Sequence, residues 1–100
     1  MRRIVYTPEA DAQLVQLYHY IAREASPAIA AGFTDAIVDQ CESLHHFPNR
    51  GTPRDDIRPG LRTITFRRRV VIAYAVSADA VTIVGIFYGG QDYEAILEGE

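Results

Sequence analysis

One hundred residues, 48% of them apolar, suffice for one domain with a buried core and leave no room for a second. The single cysteine excludes an internal disulfide, no apolar run approaches the ~20 residues that span a bilayer, and no signal peptide follows Met1, which together point to a cytoplasmic protein. The net charge of −3 conceals a segregation: residues 1–42 hold three arginines and six acids, residues 43–78 seven arginines and two acids, and residues 79–100 five acids and no base. A basic middle between acidic ends either meets an anionic partner or pairs with the acids nearby. All ten basic residues are arginine, which excludes lysine chemistry such as Schiff-base formation.

Along the chain, Arg3 to Tyr6 is short, β-branched and aromatic, the composition of a strand. Thr7-Pro8 supplies an N-cap and a proline at the first helical position, and Glu9 and Asp11 put negative charge in the first turn, where the helix dipole favours it. Ala10, Leu14, Leu17, Tyr18, Ile21 and Ala25 then recur at helical spacing as one apolar stripe. Ser26-Pro27 repeats the cap signal and starts a second helix, whose stripe reads as Ile29, Phe33, Ile37, Cys41 and Leu44 and which Phe47-Pro48 ends. Two amphipathic helices joined by so short a turn pack as an antiparallel hairpin.

Residues 49–59 are charged and rich in breakers and read as a loop. Three strands follow: Leu61 to Phe66, the nearly continuous apolar run Val70 to Val76, which predicts a central strand, and Val81 to Tyr88. Arg67, Arg68 and Arg69 fall at the first turn, and Ser77 to Ala80 make a tight second one. Ala95-Ile96-Leu97 adds a short apolar contact near the end. The fold class expected is α+β over residues 1–100: an antiparallel sheet with an N-terminal helical hairpin on one face, in the order β-α-α-β-β-β. The pattern does not give the strand order, and an edge strand open to a partner is expected.

The chemistry on offer is narrow. His45 and His46 are adjacent, so on a helix they diverge by about 100°, and no Cys/His spacing matches a zinc site. Cys41 and His45 are four apart, as a thiol–imidazole pair on one helix face requires, but Cys41 belongs to the apolar stripe, where a thiol acts as a small hydrophobe. Gly89-Gly90 has no lysine to complete a phosphate cradle. Neither metal nor cofactor is expected. Arg62, with Arg67, Arg68 and Arg69 at the next turn, is the group of interest. Phosphoryl transfer on RNA needs positive charge on nonbridging oxygens together with an acid and a base. Arginines supply the first, but the late segment offers only Tyr88, Tyr93, Asp92 and Glu94 for the second, with no histidine after position 46. Binding is the more economical role.

The pieces Tyr6-Thr7-Pro8-Glu9-Ala10, Gly60-Leu61-Arg62, Val71-Ile72-Ala73-Tyr74 and Ile86-Phe87-Tyr88-Gly89-Gly90-Gln91-Asp92, in this order and spacing, resemble the RelE/ParE superfamily of small bacterial toxins, and its ParE-like plasmid-stabilization branch in particular. The resemblance implies the toxin of a type II toxin–antitoxin system, a cognate antitoxin (ParD-like or similar) in a hetero-oligomer with it, and DNA gyrase as the target. It also implies that Arg62, Arg67, Arg68, Arg69, Tyr88, Gln91 and Asp92 contact antitoxin or target. The alternative within the superfamily is a ribosome-dependent messenger RNA endoribonuclease, for which Arg62, Arg69 and Tyr88 would be catalytic. A non-toxic binding protein that keeps the fold is a further alternative. Tyr88 stands where many relatives have histidine, and Gln91 where many have arginine, both departures from the ribonuclease pattern.

Overall fold

The two cap signals set the start of both long helices. In the computed structural model, which describes residues 2–99, strand β1 (Arg3–Tyr6) ends at Thr7. The Thr7 hydroxyl accepts a hydrogen bond from Ala10 N at 3.1 Å and opens helix α1 (Pro8–Glu24). Ser26 repeats the arrangement for helix α2 (Pro27–Glu42), its Oγ accepting from Ile29 N at 3.1 Å. Such caps contribute about 1 kcal/mol each. A single 3-10 turn, Ser43–His45, extends α2.

Strands β2 (Thr52–Pro53), β3 (Leu61–Phe66), β4 (Val70–Val76) and β5 (Ala80–Tyr88) join β1 in one sheet of order β1-β5-β4-β3-β2, and helix α3 (Tyr93–Glu98) ends the chain. The apolar run β4 is central, as its composition requires. The sheet is mixed where an antiparallel one was expected, because β1 lies parallel to β5 while the other pairings are antiparallel. A parallel pair needs a long crossover, and the whole chain between β1 and β5 supplies it.

Other details also depart from the sequence reading. Within the expected loop, Thr52 and Pro53 pair with Thr63 and Arg62 as a two-residue edge strand. Two residues cannot display a period-two pattern, and Pro53 sits on an edge, where its missing N–H is tolerated. The acidic tail forms α3, capped by Asp92, whose Oδ1 accepts from Ala95 N at 3.2 Å. The α2 stripe is buried at Ile37, Cys41 and Leu44 as expected, but its first half is offset by one residue: Ala30 and Thr34 are buried, whereas Ile29 is 59% exposed and Phe33 is half-buried. Ala25 lies past the end of α1 and is exposed.

The core has two unequal parts. On the helical side, Leu17 and Ile21 of α1 with Ile37 and Cys41 of α2 pack against Val70, Ile72, Tyr74, Val81 and Ile83 of the sheet. On the opposite face, Leu97 of α3 covers Leu61, Ala73 and Phe87. Among the described residues no helix is long and apolar enough to cross a membrane.

The β3–β4 turn has unusual backbone for its residues. Arg67 and Arg68 have φ of 51° and 60°, and Arg69 N donates to Phe66 O at 3.1 Å, the pattern of a two-residue type I′ turn. Its twist suits a hairpin, but a left-handed backbone crowds Cβ at a cost of roughly 1–2 kcal/mol per residue, so Asn-Gly is the usual occupant. Arg68→Gly is expected to raise stability by about 0.5–1 kcal/mol, after allowance for the freedom glycine adds to the unfolded chain. Calorimetry would read this as a melting temperature a few degrees higher.

Candidate partner-binding site

The arginines of the basic middle fall into two groups. Arg54 pairs with Asp56 at 2.9 Å and with Glu94, donates to Tyr93 Oη at 2.9 Å, and lies over the Tyr93 ring. Hydrogen bonds to these two carboxylates raise the Arg54 pKa, and Arg54 in turn holds Asp56 below the usual carboxylate range. Arg58 Nη2 donates to Leu97 O at 2.9 Å. Arg62 Nη1 donates to Asn49 O at 3.0 Å and to Gly51 O at 2.7 Å. These three brace the segment before β3 and fasten α3 to it.

The β3–β4 turn behaves differently, since Arg67, Arg68 and Arg69 are all exposed. The Arg67 guanidinium lies 4.8 Å from the centre of the Phe66 ring and 5.8 Å from that of Phe33. Stacking of this kind fixes the plane of the cation while leaving its N–H groups at the rim for an anion.

Tyr88 ends β5 opposite Val70, at the same end of the sheet as this turn, and Gly89 N donates to Arg69 O at 2.9 Å. The Tyr88 ring is 5.9 Å from Tyr20 and 6.1 Å from Phe33, and Phe33 is 5.9 Å from Phe66. The result is an aromatic row, Tyr20–Tyr88–Phe33–Phe66, that finishes under Arg67. Gln91 Oε1 accepts from Tyr88 N at 2.9 Å, and Asp92 caps α3. Arg62 stands apart. It is opposite Tyr74, four residues along β4 from Val70 and therefore about 13 Å away along the strands at ~3.3 Å per residue. The structure thus brings together Arg67, Arg69, Tyr88 and Gln91 and leaves Arg62 at the far end of β3.

Between α1 and the end of β5 runs a groove of about 410 Å³. Gln13, Gln16, Leu17 and Tyr20 form its helical wall; Ile86, Tyr88, Gly89 and Gln91 form the other. Sequence reasoning overlooked Gln13, whose Oε1 accepts from Ile86 N at 2.7 Å. Its signal was a polar residue one turn before Leu17, on the flank of the buried stripe.

Two further reactive groups, Cys41 and Tyr6, are held within the fold. Burial pushes the Cys41 thiol up to about 12, the nearby Tyr6 hydroxyl opposes this, and the charge of Glu42 adds to it, so the thiol stays protonated at neutral pH. The Tyr6 hydroxyl donates to Glu42 Oε2 at 2.9 Å, and burial raises its pKa too. Among the described residues, no three His, Cys, Asp or Glu side chains gather where they could hold a metal ion.

Known proteins share this fold and sequence pattern. The family model described as ParE toxin of type II toxin-antitoxin system, parDE, matches residues 4–93. The chain belongs to the ParE toxin family. One ParE relative, Toxin ParE3 of Caulobacter vibrioides (strain ATCC 19089 / CIP 103742 / CB 15), is 27% identical over 97 residues, covering 97% of this chain and 96% of its own length. A solved chain from a chromosomal ParDE TA system of P. aeruginosa matches with a TM-score of 0.78 at 27% identity, over 89% of this chain and 97% of that one. The ParE family match runs from β1 to the first residue of α3 and so takes in the groove, the aromatic row and the arginine turn.

Proposed function

We propose that this ParE-family toxin acts in the cytoplasm by binding DNA gyrase, without chemistry of its own, and is neutralised by a cognate antitoxin. The observation that carries the reading is the separation of Arg62 from Arg69 and Tyr88. A phosphoryl-transfer site needs charge stabilisation and proton transfer within hydrogen-bond reach of one phosphate. Arg62 is instead committed to the carbonyls of Asn49 and Gly51. What remains at the Tyr88 end is an exposed cationic and aromatic surface, which suits protein contact through Arg67, Arg68, Arg69, Tyr88, Gln91 and Asp92.

One observation favours a second reading. Arg69 and Tyr88 do share a sheet end, so a ribonuclease built on those two without Arg62 is the rival. Inducible expression in bacteria without the neighbouring gene separates the two. The expected result is a DNA-damage response with intact messages, and loss of supercoiling by purified gyrase in the presence of the toxin. Gyrase that supercoils normally in excess toxin, or cleaved messages that become intact with Tyr88→Phe, would reverse the assignment.

A further inference from the structure

The two outer strands of the sheet are unlike each other. β2 is two residues long, and one of them is Pro53, which has no N–H to give. β1 is four residues long and carries no proline. Arg3 N donates to Asp79 O at 2.9 Å and Thr7 N to Ile83 O at 3.0 Å, so the odd-numbered residues of this segment turn their backbone groups to β5. Ile4 and Tyr6 therefore turn theirs outward. Among the described residues nothing accepts from Ile4 N or Tyr6 N. The Ile4 and Tyr6 side chains pack against the helical-side core, which sets Arg3 and Val5 on the opposite face. Val5 is an apolar residue left 37% exposed there.

We propose that a second copy of the chain adds to this edge, β1 against β1, antiparallel about a two-fold axis through Val5. In that register Ile4 lies opposite the partner's Tyr6, and each such pair exchanges both backbone bonds. The symmetry makes two of these pairs, so the outward donors of β1 are satisfied in both copies. The two Val5 residues meet as the non-hydrogen-bonded pair between them, with Cα atoms about 4.5 Å apart, and cover each other.

Charge is consistent with this direction of pairing. A cation on an edge strand ordinarily discourages such additions. Here each Arg3 lies opposite the partner's Thr7, and the two arginines are about 13 Å apart along the strands. The antiparallel direction also brings the basic Arg2–Arg3 end of one strand beside the acidic start of α1 in the other, where Glu9 and Asp11 are exposed. A parallel pair would instead set arginine beside arginine. A segment of some other protein can add to an edge too, but the second copy is favoured because donors, exposed valine and charged ends all match themselves under one two-fold. A contact confined to this edge buries less than the ~1,200 Å² of a stable dimer, so the pair is weak and forms at high protein concentration. The inference holds whatever the toxin's target.

The test uses the full chain without antitoxin. Sedimentation is expected to show monomer passing toward dimer between roughly 10 μM and 1 mM, the range of a small interface. Amide exchange at Ile4 and Tyr6 is expected to slow by about tenfold over the same range. Val5→Lys, at a site already part exposed, is expected to abolish both effects. Val5→Cys is expected to give a covalent dimer on mild oxidation, because its Cα separation suits a disulfide, whereas Arg3→Cys places its thiols too far apart. The unsubstituted chain is the control for Cys41, which is buried. If Val5→Lys does not fold, the two cysteine variants decide. Monomer at every concentration overturns the proposal. So does a dimer that survives in folded Val5→Lys, which belongs to another surface, or crosslinking of Arg3→Cys as fast as Val5→Cys, which reports collision. Ile4 and Tyr6 amides that slow only when antitoxin is added give the edge to that partner and overturn it as well.

Discussion

Gly51→Ala is expected to destabilise the protein by about 2–4 kcal/mol, a large part of the ~5–10 kcal/mol typical of such a domain. Denaturant titration would read it as a lower midpoint at unchanged slope. Gly51 is buried, and its N–H donates to Tyr74 Oη at 2.8 Å inside the core. A Cβ there would lie 2.5 Å from Tyr74 Oη, 2.9 Å from Tyr74 Cε1 and 2.8 Å from Thr63 O. The last of these is backbone of β3, a strand paired on both sides, and it cannot yield without breaking the ladder. The loop must lift instead. That costs the Tyr74 hydrogen bond and pulls the Gly51 carbonyl away from Arg62.

A cycle with Tyr74→Phe separates these contributions. Tyr74→Phe alone leaves the buried Gly51 N–H without its acceptor, at about 1–3 kcal/mol. In that background the clash with Oη is gone while those with Thr63 O and the ring Cε1 remain. The double substitution is therefore expected to cost less than the sum by more than about 0.5 kcal/mol. Additive costs would mean that the methyl is accommodated by movement elsewhere. The same loop governs how Arg62 is to be judged: Arg62→Ala loosens residues 49–51, and a loss of toxicity on that substitution speaks to chemistry only if the melting temperature is unchanged.

The contacts that were legible in the sequence are local ones. Thr7-Pro8 and Ser26-Pro27 announce both helices because a cap and its helix are neighbours in the chain. Val70 to Val76 announces the central strand because burial on both faces removes alternation. The contacts that were not legible join distant segments. Arg54 looks like one cation of a basic loop, yet its partners Tyr93 and Glu94 are 39 and 40 residues away, and only the fold brings them within reach. The parallel partnership of β1 and β5 leaves no mark on either strand. The site itself was half visible. Its arginines and Tyr88 stand out by type, whereas the distance of Tyr88 from Arg62 needs the pairing of β3, β4 and β5, including the extra residue Val84 that β5 carries opposite Ala73/Tyr74, for which Gly85 was the one local sign.

Leu97→Ala is expected to free α3 from the sheet, at about 2–3 kcal/mol, while α1, α2 and the sheet stay folded. Six residues are too few to hold a helix alone in water, so α3 exists because it is docked. Leu97 is 2% exposed and closes the small cluster of Leu61, Ala73 and Phe87. Arg58 holds the Leu97 carbonyl, and Arg54, steadied by Asp56, holds Tyr93 and Glu94. The polar half of this clamp responds to acid with a definite sign. Arg54 depresses the folded-state pKa of Asp56, so the contribution is fully present above the unfolded value of about 4 and is lost as pH falls through the folded one. Asp56 and Glu94 are largely exposed, and salt weakens the same contacts. Amide exchange in α3 is thus expected to be steady from neutral pH down to about 4 and, corrected for its intrinsic rate, to accelerate below that. The acid step disappears in Arg54→Ala. α3 amides equally protected at pH above and below the carboxylate range would place the whole of the docking on Leu97.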